Sequence, residues 1–406
     1  MKYFASLFHR KGLPVADYTP SLQYMHVPIE RVLYMAMRVF ILAVSCGIVA
    51  VGGLLLVRLI SNVLYFNDWS VAAVSPIYHN LDMTAIILPV AGVAAGVLLM
   101  RKWKFLAPLS GVLNIGTGIP LGPEGMAMNY SMYTGERHEL LLAAGVAAGF
   151  AAMFGTPLAA IILVSEVLYR KFISRKIGYI SLAAFTGAAI HMLWFGMEPF
   201  FVLPSLTIPS IAAIGLYTLI GVVAGLHSAI LVFVVQQIRS FANGWVWPIV
   251  SAAAVGFAGY HAPEILGNGI EYTAMMLQGK VTLSLLISLS MIKLVLIMFV
   301  LGTRTFGGMI LPLLSIGSAL GILTALLLQM AFPGTPLNPS LAALVGMTAL
   351  FAGVTRGWIT AIVFALECTW QGAEIFPLLF ACTISWIVSG WMIKKEAPVL
   401  QAPPLI

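Results

Sequence analysis

Charge is what this 406-residue sequence has least of: Asp, Glu, Lys and Arg together make up 9% of it, while 61% is apolar and the mean hydropathy is +1.01. A soluble domain carries roughly a quarter of its residues as charges, so a water-soluble globule is excluded and an integral membrane protein is expected. Long polar stretches are also missing between Val32 and Met392. One crossing takes about 20 apolar residues, which leaves room for more than ten full or partial crossings. Residues 1–31 and 396–406 are too short for separate globular domains. The expectation is a single transmembrane domain over 32–395, between an N-terminal cytoplasmic or interfacial segment and a cytoplasmic tail. MKYFASLFHRKGLP at the start lacks the apolar core of a signal peptide and suits a short interfacial helix. Cysteine is scarce too: Cys46, Cys368 and Cys382 lie in apolar runs without CxxC spacing and are expected in the core. His191, His227 and His261 have no ligand spacing, so neither metal nor cofactor is expected. No HExxH, GxSxG or P-loop occurs, and no enzyme is expected.

The charge that is present is clustered. The net +7 comes chiefly from Lys2/Arg10/Lys11, Arg101/Lys102/Lys104, Arg170/Lys171/Arg175/Lys176 and Lys394/Lys395. Short basic loops mark the cytoplasmic side of a membrane protein, so both termini are expected there. No aromatic and basic soluble surface accompanies these clusters, and they read as orientation signals and lipid-headgroup contacts, not as nucleic-acid binding. Several apolar segments are broken by Gly and Pro, as in LAPLSGVLNIGTGIPLGPEG at 106–125 and RTFGGMILPLLSIGSALG at 304–321. Broken backbone at membrane depth survives only where protein or a water-lined cavity satisfies it, so such breaks point to a substrate path. Residues 145–166 also align with 346–367, matching Gly145 with Gly346, Phe150 with Phe351 and Glu166 with Glu367. Shared Gly/Ala-rich composition is the rival explanation; duplication into halves of about 30–200 and 205–395 is favoured. GxxxG spacing at Gly92/Gly96, Gly145/Gly149, Gly221/Gly225 and Gly317/Gly321 predicts close helix packing.

A charge at a helix centre costs about 2.5–3.5 kcal/mol on insertion scales, so each acidic residue in an apolar run asks for a reason. Glu124, in GIPLGPEGMAMN, is the least easily dismissed. It follows Gly122 and Pro123 and precedes Gly125, which predicts the N-terminus of a half-helix, where free N–H groups and the positive dipole end attract anions. Two roles stay open: a helix cap, or a carboxylate that occupies an anion site and swings out when protonated. Glu166 and Glu367 end helical runs at matching positions, which predicts capping or hydrogen bonding to a neighbouring loop. Glu264 and Glu271 flank LGNG in a turn-rich stretch and read as structural.

Taken in order, LGPEGMAMN, LLAAGVAAGFAAMFGTPLAAIILVSEVL, PEILGNGIEYT, FGGMILPLLSIGSALG and LFAGVTRGWITAIVFALECT resemble the CLC family of chloride channels and anion/proton antiporters, over most of residues 85–392. The first resembles that family's GxEGP element and the fourth its GxFxP element. The resemblance implies an all-α membrane protein, a multi-span bundle with two inverted-topology repeats and broken half-helices. It also implies a homodimer with one pore per subunit, and anions held by backbone N–H groups at converging helix N-termini. On it, Glu124 matches the external gating glutamate, and Met309 and Ile310 match the backbone anion donors. Gly122, Pro123, Gly125 and Met126, with Gly308, Leu311 and Pro312, complete the two anion-binding elements. Chloride is the anion expected, with protons as a second cargo if exchange occurs; fluoride, nitrate and bicarbonate are not separated from it. A bacterial inner membrane is the expected location.

The departures bear on mechanism. Where many antiporters of the family carry an internal proton-transfer glutamate, this sequence has Val167. The family's serine element has no counterpart: GTGIP at 116–120 falls immediately before GPEG, residues 101–115 leave no room for the usual intervening helix, and GTGIP reads as the end of the preceding helix. The tyrosine expected near the C-terminus is missing, since no Tyr follows Tyr272. Backbone amides and Met126, Met128 and Met309 are left around the expected site. The function expected is anion transport gated by Glu124, more channel-like than strictly proton-coupled. The alternatives are an anion/proton antiporter for chloride or fluoride and a transport-inactive structural membrane protein.

Overall fold

Inside a bilayer the backbone has no partner but itself, and the chain meets that demand with helices. The computed structural model describes residues 28–72, 81, 83–133, 138–169, 176–372 and 374–393. The expected interfacial helix, the C-terminal tail and the basic residues Arg170, Lys171, Arg175, Lys394 and Lys395 lie outside the described residues.

The first half contains α1 (Ile29–Phe66), α2 (Thr84–Lys102), α3 (Ala107–Gly116), α4 (Glu124–Tyr133), α5 (Glu139–Phe154), α6 (Pro157–Tyr169) and α7 (Ile177–Phe195). The second contains α8 (Ile211–Phe241), α9 (Val246–His261), α10 (Ile270–Leu277), α11 (Leu283–Gly302), α12 (Ile310–Ala331), α13 (Pro339–Thr355), α14 (Trp358–Thr369) and α15 (Ile375–Met392). Seven of these, α1, α2, α7, α8, α11, α12 and α15, are long and apolar enough to cross a membrane. The short ones, α3, α4 and α10 above all, are the broken helices that Gly and Pro announce.

The halves repeat one another down to single hydrogen bonds. After α3, the N–H groups of Thr117, Gly118 and Ile119 donate to the carbonyls of Leu113, Ile115 and Asn114. After α11, those of Thr303, Arg304 and Thr305 donate to Phe299, Leu301 and Val300, the same pattern at one constant spacing. Each turn leads into an isolated antiparallel bridge, Gly122 with Gly308, which joins the two halves. Between α2 and α3 there is only the 3₁₀ turn Lys104–Leu106, so among the described residues α10 has no counterpart in the first half.

Small residues let the helices close in. A Cβ on Gly317 would lie 2.6 Å from the Met347 Cα of α13, and one on Gly225 2.9 Å from the Ser385 carbonyl of α15, as the GxxxG spacing predicts. Cys46, Cys368 and Cys382 are buried free thiols. Glu166 and Glu367 cap helices across the two halves. Glu367 accepts from the N–H groups of Leu158 and Ala159 at the start of α6 (2.9 and 2.7 Å), and Glu166 from those of Ile359 and Thr360 at the start of α14 (3.2 and 2.9 Å).

Candidate functional site

The Gly122–Gly308 bridge brings two helix starts together. Its bonds run from Gly122 N–H to the Gly308 carbonyl (2.7 Å) and back from Gly308 N–H to the Gly122 carbonyl (2.6 Å). Only glycine allows this approach. A Cβ on Gly125 would come within 2.5 Å of the Gly308 nitrogen, and Cβ atoms on Gly122 or Gly308 would overlap the Glu124 carboxylate. Pro123 then turns the chain into α4, whose first residue is Glu124, and Met309 caps α12.

The first N–H groups of any helix have no partner within it. Pro312 fits the first turn of α12, where no internal bond is lost to it. The open donors of Ile310 and Leu311 are taken up by Glu124: its Oε1 accepts from Ile310 N–H at 2.7 Å and from Leu311 N–H at 3.3 Å. Glu124 is 1% exposed, and its Oε2 has no hydrogen-bond partner among the described residues. A carboxylate thus stands where helix dipole and open amides would hold a free anion. The carboxylate and a bound anion exclude one another.

Of the two matched positions, Ile310 donates to the Glu124 carboxylate, joined there by Leu311. Met309 is the cap residue, whose carbonyl accepts from Leu313. Met126 is buried, but its sulfur lies against the space over Gly111 and its methyl against that over Gly53, so the thioether packs among α1 and α3. Val167 is also buried, with a methyl group 3.0 Å from where a Gly357 Cβ would lie, and it offers no proton acceptor. GTGIP ends α3 at Gly116 and forms the turn before the bridge. Asn114 ties that turn to the other half through a 3.0 Å bond to the Phe306 carbonyl.

Three buried or half-buried cations of the second half escape the sequence reading. Lys293, in the π-helical turn of α11, is fully buried and its Nζ has no hydrogen-bond partner among the described residues. It lies beside Gly269, whose Cβ would be 2.7 Å from Nζ and 2.6 Å from the Ser315 hydroxyl of α12. Glu271 is the carboxylate whose charge reaches it. The signal is in the sequence: a single charged residue, Lys293, in the twenty-residue stretch 283–302 calls for explanation. Arg239 and Arg304 are the other two. A cavity of about 40 Å³ opens near Glu271, lined among others by Arg58, Asn62, Ile115 and Asn268. His191 and His227 each place Nδ1 on a backbone carbonyl, of Ala152 and Val223 respectively.

The sequence and the fold resemble those of known proteins. The chain is 26% identical over 311 residues to the H(+)/Cl(-) exchange transporter ClcA of Salmonella paratyphi B (strain ATCC BAA-1250 / SPB7) and to that of Salmonella newport (strain SL254); the match covers 70% of this chain and 65% of theirs. Its fold is that of a slow cyanobacterial Cl-/H+ antiporter (TM-score 0.75, 18% identity, 90% of this chain and 96% of that one). It is also that of a CLC-type fluoride/proton antiporter (TM-score 0.73, 20% identity, 92% and 98%). Residues 90–390, which hold α3, the bridge, Glu124 and the paired half-helices, match the family described as voltage gated chloride channel, and the chain belongs to that family.

Proposed function

We propose that this protein carries small inorganic anions, chloride first among them, across a membrane through the site at the start of α12, with Glu124 as its gate. The observation that carries this reading is the Glu124 carboxylate on the Ile310 and Leu311 N–H groups, an internal anion in the place of a mobile one. Protonation removes the charge that holds it there, the side chain leaves, and an anion takes the two donors. Gly122, Pro123, Gly125 and Met126 on one side, and Gly308, Met309, Ile310, Leu311 and Pro312 on the other, frame the site. The protein would act as a homodimer, each subunit with its own pore. Exposed apolar side chains on α7 and α15, such as Phe185, Phe376 and Phe380, suit a partner or lipid face. A bacterial inner membrane with both termini cytoplasmic is the setting proposed.

Two finer readings each have an observation behind them. The Salmonella relatives are named as proton/chloride exchangers, which supports coupled exchange. Val167 leaves no internal carboxylate at the usual place, which supports passive conduction. Simultaneous chloride and proton flux from vesicles holding the purified protein separates them. Protons moving in fixed proportion to chloride, lost in Glu124→Gln, mean exchange; chloride efflux without protons, altered by the same substitution, means a gated conductor. Vesicles that pass no anion at all would overturn the transport reading.

A further inference from the structure

At two matching turns the first half uses a glycine with positive φ and the second half an arginine. Gly118 (φ 101°) corresponds to Arg304 (φ 64°), and Gly155 (φ 68°) to Arg356 (φ 66°). A side chain is strained in that region, so each arginine needs a reason. Arg356 has one within the fold. Its guanidinium lies 4.7 Å from the Trp386 ring centre, and Nη1 donates to the Trp386 carbonyl and, at 2.7 Å, to the Ser389 hydroxyl.

Arg304 has no such partners. Its Nε is buried without a hydrogen bond, and its Nη2 makes one long bond, 3.4 Å, to the Arg239 carbonyl. Arg239, in the last turn of α8, donates Nε to the Leu301 carbonyl at 3.2 Å and leaves Nη2 buried and unpartnered. Neither arginine forms an ion pair among the described residues, and the charge acting on Arg239 is that of Arg304. Arg304 reaches the Arg239 backbone, so two like charges with unused N–H groups stand on adjoining segments. Guanidinium donors aimed at no protein acceptor are the donor set that binds an anion.

Their place in the fold gives that anion a destination. Arg304 stands four residues before Gly308, in the turn that enters the bridge. Arg239 ends α8 just ahead of Trp245, whose ring Arg101 approaches at 5.6 Å, so the pair lies on the face of the basic loop that follows α2. This is the face on which the first half lacks a counterpart of α10. Beside the matching turn of the first half stands a neutral group, the Tyr65 hydroxyl, which donates to the Thr117 carbonyl at 3.0 Å.

We infer that Arg239 and Arg304 form a second anion site on the basic-face approach to the Gly122–Gly308 bridge, which takes a halide-sized inorganic anion between the two guanidinium groups. Its use rests on the transport reading above, but binding is testable apart from flux. A phospholipid phosphate has the same acceptor chemistry, and the test distinguishes the two.

Delipidated protein in detergent would be titrated with bromide, on the Glu124→Gln background and with Arg304→Gly added, and crystals of each would be soaked in bromide. Arg304→Gly keeps the turn, because glycine adopts this φ freely, as it does at Gly118. The expected result is an anomalous bromide peak between the guanidinium groups that disappears with Arg304→Gly, and a half-saturating bromide concentration at this site about tenfold higher. Arg239→Gln, which leaves the turn untouched, is expected to do the same and stands in if Arg304→Gly folds poorly. Bromide binding indifferent to both substitutions would overturn the inference. So would phospholipid that co-purifies with the parent protein and is lost from the variants while no bromide peak is present. Vesicles without flux but with the bromide site intact would count against the transport reading alone; normal flux with no bromide between the arginines would count against this site alone.

Discussion

Glutamates cross between the halves at three places, and one of the three differs from the other two. Glu166 of the first half caps α14 of the second, and Glu367 of the second caps α6 of the first, each using both carboxylate oxygens. The exchange is reciprocal and fully bonded. Glu124 caps α12, but the residue at its own position in the second half is Ile310, so α4 receives nothing in return. Both bonds fall on Oε1, and Oε2 is left over. A second glutamate at Ile310 would set two carboxylates across one bridge, where like charges disfavour each other. The repeated pair fastens the fold; the unrepeated one leaves a buried carboxylate oxygen without a partner among the described residues.

The largest effect is expected from the bridge itself. Gly308→Ala puts a Cβ onto Oε1 of Glu124 and within 2.6 Å of the Gly125 nitrogen. Overpacking of this kind costs about 1–3 kcal/mol and here also separates the two helix starts. Anion flux should be lost and the unfolding temperature in detergent lowered. Wild-type flux from Gly308→Ala would mean that the bridge does not hold the site together.

Glu124→Gln comes next. It preserves size and removes charge, and a hydrogen bond to a charged group contributes about 1.5–3 kcal/mol against roughly half that for a neutral one. The side chain should leave α12 tenfold or more readily. Initial chloride efflux at neutral pH should rise; acid should increase efflux in the unmodified protein but not in this variant, because the group that acid neutralises is already neutral. Efflux that still climbs on acidification in Glu124→Gln would place the pH sensor elsewhere.

Much of this was legible in the sequence. GPEG predicts a helix start at Glu124, the Glu166/Glu367 match predicts capping or a bond to a neighbouring loop, and GTGIP reads as the end of a helix; the structure has each. These features are local or periodic, and local chemistry dictates them. What stayed hidden depends on contact between distant segments. That Glu124 reaches Ile310 and Leu311, not Met309, follows from the register of a bridge spanning the two halves. Nothing local in the sequence marks Arg304; its φ, its unused Nε and the neighbouring Arg239 set it apart. The turn common to Gly118 and Arg304 was equally hidden, because it shares a hydrogen-bond pattern and little sequence beyond the Gly-Thr at 116–117 and 302–303.

The smallest effects should come from the reciprocal pair. Glu367→Gln keeps one acceptor oxygen for Leu158 and Ala159 and loses the charge, so it should cost about 1 kcal/mol of stability, the usual weight of a cap. Glu166→Gln should cost slightly more, because the Thr360 hydroxyl also donates to that carboxylate, at 2.8 Å. Both are readable as shifts in thermal unfolding in detergent. Neither group touches the Ile310 and Leu311 donors, so the pH profile of anion efflux should match that of the unmodified protein in both variants. If Glu367→Gln displaced that profile as Glu124→Gln does, the division between fastening glutamates and a gating one would fail, and the two halves would have to be treated as a single coupled switch.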